Sequence, residues 1–335
     1  MSSKLVNDNE DKTIPFPSVL DELFNDDTVP VHLLFRLSDM AVDEAAEFQR
    51  RWLEVTDERR RVIMRHLADL MEENFAVDFA PVFVFALEDR LPEVRIAALD
   101  GLWDSTDIRL IGPITRLMQS DEADLVRAAA AAALAHYLLL AEWGQLPDRI
   151  IPGIVESLLA EYDNPDTAVA VRRAALEALG AASHPRVADI IEEAYEDSDP
   201  AMQMSAVFAM GNTADRRWIP TLIAEMESHN PDMRAEAARA AGLIGSSDAI
   251  APLGNLTVDE DVSVRLAAVI ALGQIGSETA QEILTALLHD EEQAELHEAV
   301  EEALEEQTIL SGELALLDLD LAEDDPLDET RISLN

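Results

Sequence analysis

The feature that most constrains this 335-residue chain is a helix signature that it repeats. In its clearest form it reads Val264-Arg265-Leu266-Ala267-Ala268-Val269-Ile270-Ala271-Leu272-Gly273 and follows an acidic turn at Asp259. At 100° per residue the valine and the residues four, seven and eight further on share one face, which makes a short amphipathic helix with a narrow apolar seam. The arginine position is filled in turn by Arg95, Arg127, Arg172, Gln203, Arg234, Arg265 and His297, at intervals of 32, 45, 31, 31, 31 and 32 residues. Six residues before each stand Asp89, Asp121, Asp166, Asp197, Ser228, Asp259 and Glu291. Further upstream most units carry another helical pattern with a proline in or near its first turn: Pro81, Pro113, Pro152, Pro185, Pro220 and Pro252. Each unit is therefore helix, acidic turn, helix, turn. One such hairpin cannot bury its apolar faces alone, so neighbours must stack. The expected fold is all-α, a right-handed α-solenoid of stacked antiparallel helix hairpins.

The period divides the chain. Residues 1–29 read as an N-terminal arm, polar and disordered at first and then helical from Val19, with Ser18 as N-cap. Residues 30–78 read as a helical cap of degenerate repeats, with patterns at 31–39, 43–55 and 57–74. Residues 79–307 form the repeat array. The 45-residue interval marks an insertion of about 14 residues between Tyr137 and Asp148 that lengthens a second helix and its loop. Residues 308–335 alternate acids with leucines and are expected to be a flexible tail, able to fold on a partner or to dock in cis on the array.

The period, the turn aspartate, the Val-Arg pair and the Ala-Leu-Gly ending resemble HEAT repeats over roughly residues 79–307, with a weaker echo from 30 to 78. The short 31-residue form resembles the HEAT-like repeats of phycobilin lyases and of many uncharacterised bacterial proteins. The first resemblance implies an armadillo-like solenoid that binds proteins. The second implies a chaperone or lyase subunit acting on a tetrapyrrole-bearing protein. A third HEAT-repeat class, deoxyhypusine hydroxylase, holds two irons on several His-Glu pairs. Here His297-Glu298 is the only such pair, which cannot supply that shell.

Composition narrows the partners. Aromatics are 5% of residues, which favours helix packing through small side chains, and there is no cysteine for disulfide or thiolate chemistry. The start of the chain lacks the apolar core of a signal peptide, and its most apolar stretch, Ala128 to Ala141, is short of a membrane span. A cytoplasmic protein is expected. The formal net charge of −44 repels nucleic acid and anionic lipid, so neither nucleic acid nor membrane is expected as a partner. The same acid excess also fits a high-salt cytoplasm or a biased genome.

No residue pattern points to catalysis, a metal or a cofactor. The seven histidines are scattered, and neither a His-x-x-x-His pair nor a nucleotide-binding glycine loop occurs. Two groups of residues stand out instead. Asp89, Arg95, Asp121, Arg127, Asp166, Arg172, Arg234, Asp259 and Arg265 are expected to form a structural ladder of turn acids and helix arginines. Opposite the seam, two and six residues past the valine, most repeats carry charge or alanine (Arg173 and Glu177, Ala235 and Arg239), but two carry Met204 with Phe208 and Leu266 with Ile270. These four residues, with Arg216, Arg217 and Trp218 between repeats, are the candidate protein-binding patch. The expected function is a non-enzymatic scaffold or adaptor that uses the concave face of the solenoid to hold another protein, one that is basic or presents an apolar helix or peptide.

Overall fold

A computed structural model describes residues 14–25, 28–73 and 77–307. The acidic tail and most of the N-terminal arm lie outside them, so the expectations placed on those segments concern residues not described. The helices are α1 (Phe16–Asn25), α2 (Val31–Leu34), α3 (Val42–Trp52), α4 (Asp57–Glu73), α5 (Ala80–Ala86), α6 (Pro92–Asp100), α7 (Ile111–Ser120), α8 (Asp124–Glu142), α9 (Ile151–Asp163), α10 (Val169–Leu179), α11 (Val187–Tyr195), α12 (Pro200–Asn212), α13 (Ile219–Glu225), α14 (Pro231–Ile244), α15 (Ile250–Leu256), α16 (Val262–Ile275), α17 (Glu278–Leu288) and α18 (297–307). No strand occurs among the described residues. The fold is an all-α solenoid.

The chain forms two compact units, one running to Ile190 and one starting at Ile191. In the first, the second helices of successive hairpins stack in the order α4, α6, α8, α10, while α5, α7 and α9 each pack as the first helix of a hairpin against α6, α8 and α10. In the second, α12, α14 and α16 stack in the same way, backed by α13, α15 and α17. The seam residues carry this stacking: Val94, Val126, Val171, Met202, Met233 and Val264 are all buried, as are Ala268, Ala271 and Leu272 of the opening signature. Several first helices are entered through a 3₁₀ turn, at Ile108–Leu110, Asp148–Ile150, Arg216–Trp218 and Ser247–Ala249. In the second unit α12, α14 and α16 begin on side-chain caps: Asp199, Asn230 and Asp261 accept the N–H groups of Ala201, Asp232 and Ser263.

Some local expectations are corrected. Helix α1 starts at Phe16, because the Pro15 carbonyl already accepts the Ser18 and Val19 N–H groups; Ser18 therefore lies inside the first turn and is not its cap. The N-terminal side of the first unit is closed by a cluster of aromatic rings, with Phe48 5.2 Å from Trp52 and 5.8 Å from Phe24. The insertion extends α8 to 19 residues. That helix is long and apolar enough to cross a membrane by length and composition alone, yet it packs on α6, α7 and α10 and buries Leu134, Tyr137, Leu138 and Ala141.

The glycines of the Ala-Leu-Gly ending do something other than close helices. An αL cap is the usual role of a glycine at a helix end, but of Gly180, Gly211, Gly242, Gly245, Gly273 and Gly276 only Gly245 (φ +69°) and Gly276 (φ +65°) adopt it. Gly180 is a right-handed C-cap at φ −56°. Gly211, Gly242 and Gly273 lie within α12, α14 and α16. A Cβ on Gly211 would lie 2.7 Å from Ala240 Cα, one on Gly242 2.7 Å from Ala271 Cα, and one on Gly273 2.9 Å from Ala303 Cβ. Successive second helices thus meet backbone to backbone, each glycine seated on the alanine two signature positions earlier in the next repeat.

Candidate functional site

The arginine ladder is built one turn at a time. Three guanidinium groups tie down their own turn: Arg95, Arg234 and Arg265 donate to the carbonyls of Asp89, Ser228 and Asp259, six residues back, at 2.6, 2.8 and 2.6 Å, whereas Arg127 reaches Met118 O in the preceding helix at 2.9 Å. Gln203 also ties down its own turn, through Asp197 O at 2.8 Å, and the His297 ring lies 3.1 Å from Asp290 O. Several then reach the next repeat. Arg95 bonds Asp121 at 2.7 Å, and Arg234 grips Asp259 with two bonds of 2.7 and 2.8 Å. Arg127 meets Glu161 at 2.7 Å, and Arg265 pairs with Glu295. The Arg234 guanidinium holds the Asp259 carboxyl below the usual carboxylate range, outweighing the effect of burial. Turn acids also accept from the backbone two residues on, as Asp121 does from Ala123 N at 2.9 Å.

Two members expected in the ladder stand apart. Asp166 is exposed, and the turn position is held by Asn164, whose side chain accepts from Asp166 N at 3.0 Å. Asn164 stands eight residues before Arg172, so the six-residue spacing selects the wrong side chain; Glu161, which also accepts from the Thr167 hydroxyl at 3.0 Å, supplies the ladder's carboxylate there. Arg172 donates to Tyr162 O at 2.9 Å and lies over that ring at 5.5 Å. The ladder also begins earlier than expected. Arg60 is buried and pairs with Asp89 at 3.0 Å, beside the Trp52 indole N–H, which donates to the same carboxylate at 2.7 Å. The missed signal was present: Glu54 stands six residues before Arg60.

The apolar patch falls in the second unit. Phe208 on α12 is 39% exposed and Ile270 on α16 is 47% exposed. Met204 and Leu266, one turn earlier on the same faces, are half-buried. Between them α14 presents Arg239, held by Glu236 at 2.7 Å, and the exposed Leu243 one turn on, while Ala235 is buried. Because α12, α14 and α16 stack in the glycine-on-alanine register, Phe208, Arg239 and Ile270 occupy one row. On α18 the corresponding positions are Glu298, Glu302 and Glu306, all exposed. Trp218 does not join this surface. It is 5% exposed, beneath Arg217, whose guanidinium lies 5.9 Å from the ring centroid and pairs with Asp215 at 2.6 Å. Arg216 and Arg217 are exposed at the start of α13.

The other perturbed ionisations belong to structural contacts. Asp163 and Asp107 are held low by Arg186 and Arg109. The half-buried Tyr195 phenol, partly desolvated and donating to Glu225, is pushed up to about 12. Among the described residues no three His, Asp or Glu side chains converge as a metal site would need. The first unit carries an open groove of about 620 Å³ lined by Gln49, Val84, Phe85, Asp107 and Arg109.

The family described as HEAT repeats matches residues 155–224 and 219–305. Residues 155–305 are HEAT repeats. Among solved structures the chain is similar to YibA of Escherichia coli (15% identity, 85% of this chain and 98% of that one, TM-score 0.45). It is also similar to human deoxyhypusine hydroxylase in complex with glycerol (18% identity, 88% and 96% covered, TM-score 0.35). A third similarity is to the structure of Kap95p with RanGDP (16% identity, 97% and 45% covered, TM-score 0.39). None of these three is a phycobilin lyase, and no curated protein matches the chain.

Proposed function

We propose that this HEAT-repeat protein is a non-enzymatic cytoplasmic scaffold that holds another protein on the outward face of its second helices, through α12, α14 and α16. The observation that carries this reading is the exposure of Phe208 and Ile270 at one repeat position. The fold does not need apolar residues there, since the same position carries Glu177 on α10 and Arg239 on α14. Exposed apolar groups lose free energy to water, and clustered on one face they mark a contact surface.

The test is to replace Phe208 and Ile270 together by serine and compare affinity capture with the wild type. A protein recovered by the wild type and lost by the variant, at an unchanged thermal midpoint, supports the scaffold. Equal recovery by both overturns it.

A further inference from the structure

The charge around the patch says what its occupant must look like. Along the row that starts with Phe208, the exposed side chains run Phe208, Arg239, Ile270, Glu302 on four successive second helices. The final helix adds Glu298 and Glu306 one turn to either side, so the apolar stripe ends on three exposed carboxylates of a single helical face. Arg239 is neutralised by Glu236, which leaves no free positive charge on the row to offset them. Residues 308–335, which follow α18 directly, carry eight acids against Arg331 alone and would meet this edge with like charge.

The geometry points to a partner of defined chemistry: an amphipathic helix laid across α12, α14 and α16, whose apolar anchors meet Phe208 and Ile270 and whose basic end meets Glu298, Glu302 and Glu306. This rests on the scaffold reading above and adds polarity and spacing to it. Packed helices stand roughly 8–10 Å apart. Phe208 and Ile270, two helices apart, are therefore roughly 16–20 Å from each other, which a helix rising 1.5 Å per residue covers in about 11–13 residues. One further helix step, about six residues, brings the partner's lysines or arginines over the glutamate row. Half-buried Met204 and Leu266 flank the anchors with polarizable and aliphatic surface.

The experiment uses the full chain and a fluorescein-labelled peptide of about 24 residues, built from leucine, alanine and lysine. Its leucines stand at positions 4, 8 and 15 and its lysines cluster from position 21. Anisotropy should report saturable binding. Phe208→Ser with Ile270→Ser should weaken it at least tenfold. Glu298→Gln with Glu302→Gln and Glu306→Gln, charge changes on an exposed face that leave the fold intact, should weaken it about tenfold and flatten its dependence on salt. A peptide with glutamate in place of every lysine should not bind. If the glutamine variant and the glutamate peptide bind like their parents while the serine variant fails, the charge assignment is overturned and the scaffold stands. If the serine variant also binds normally, both fall. If the lysine peptide binds only after residues 308–335 are deleted, the tail is the occupant and the proposal is overturned.

Discussion

Gly153 and Gly242 both sit inside helices, but a methyl group would meet different surroundings at each. On α9 a Cβ at Gly153 has nothing within 4 Å, so Gly153→Ala should stabilise the protein by up to about 1 kcal/mol, by restricting the unfolded chain. On α14 the same atom at Gly242 lies 2.7 Å from Ala271 Cα, which retreats only if α14 and α16 separate. Overpacking of this kind costs about 1–3 kcal/mol. That exceeds the gain of roughly 0.5–1 kcal/mol that alanine brings to a helix interior, so Gly242→Ala should lower the thermal midpoint while Gly153→Ala raises it. The contrast was only half legible in the sequence. The 31-residue recurrence of Gly211, Gly242 and Gly273 was plain, but a glycine after Ala-Leu suggests a left-handed cap, and only Leu243-Ile244 continuing the apolar pattern hints that the helix runs on. Asp259 offers a second residue-scale test. Its carboxyl is held low by Arg234, so the stabilisation is present in full above pH 4, about the ordinary carboxylate value, and is lost as pH falls through the lower folded-state value. Asp259→Asn should therefore destabilise by about 1–3 kcal/mol near pH 7, and its deficit against the wild type should shrink in denaturation series carried below pH 4.

At the scale of the element, the ladder shows what repetition encodes and where it stops. The donor half was legible because the arginine and its own turn are six residues apart and the helix geometry leaves the guanidinium within reach of the turn carbonyl, as with Arg95 and Asp89. The acceptor half was not, because the acid comes from the next repeat, and in one repeat that role falls to Glu161 at the end of α9 and not to Asp166 in the turn. Arg60 was overlooked because its partner Asp89 lies 29 residues away and its neighbours Arg59 and Arg61 mask the pattern. The exposed pair Phe208 and Ile270 was legible from the helical period alone, whereas the choice for Trp218 between the surface and burial under the loop was decided by tertiary packing, which buries it under Arg217. The ladder is interrupted where Gln203 replaces arginine and the following turn offers Ser228 instead of an acid. Restoring both should complete it. Gln203→Arg alone sets a charge opposite Ser228, which is not an acid, and Ser228→Asp alone sets an acid there without its arginine. The double variant should exceed the sum of the singles by about 0.5–1.5 kcal/mol in a double-mutant cycle read by thermal unfolding. Strict additivity would show that the turns are not coupled through this position.

For the molecule as a whole, two electrostatic effects oppose each other, and salt separates them. The ladder pairs are attractive and mostly shielded from solvent: the Arg95 and Asp121 side chains are 8% and 6% exposed, so added ions screen them weakly. The net charge of −44 is repulsive and spread over the surface, with 68 acids against 24 bases. Repulsion between exposed charges reaches about 10 Å at 0.1 M salt and about 3 Å at 1 M. Helices stacked roughly 8–10 Å apart therefore bring the exposed acids of neighbouring repeats within range at low salt and out of range at high salt. The compact state concentrates this charge more than the unfolded chain does, so screening favours folding. Raising sodium chloride from 0.1 to 1 M should lift the thermal midpoint by several degrees. A variant with the exposed Glu298, Glu302 and Glu306 changed to glutamine should melt higher at 0.1 M and respond less to salt. A midpoint that falls with salt would mean that attractive pairs dominate, and the acid excess would then be stabilising in its own right.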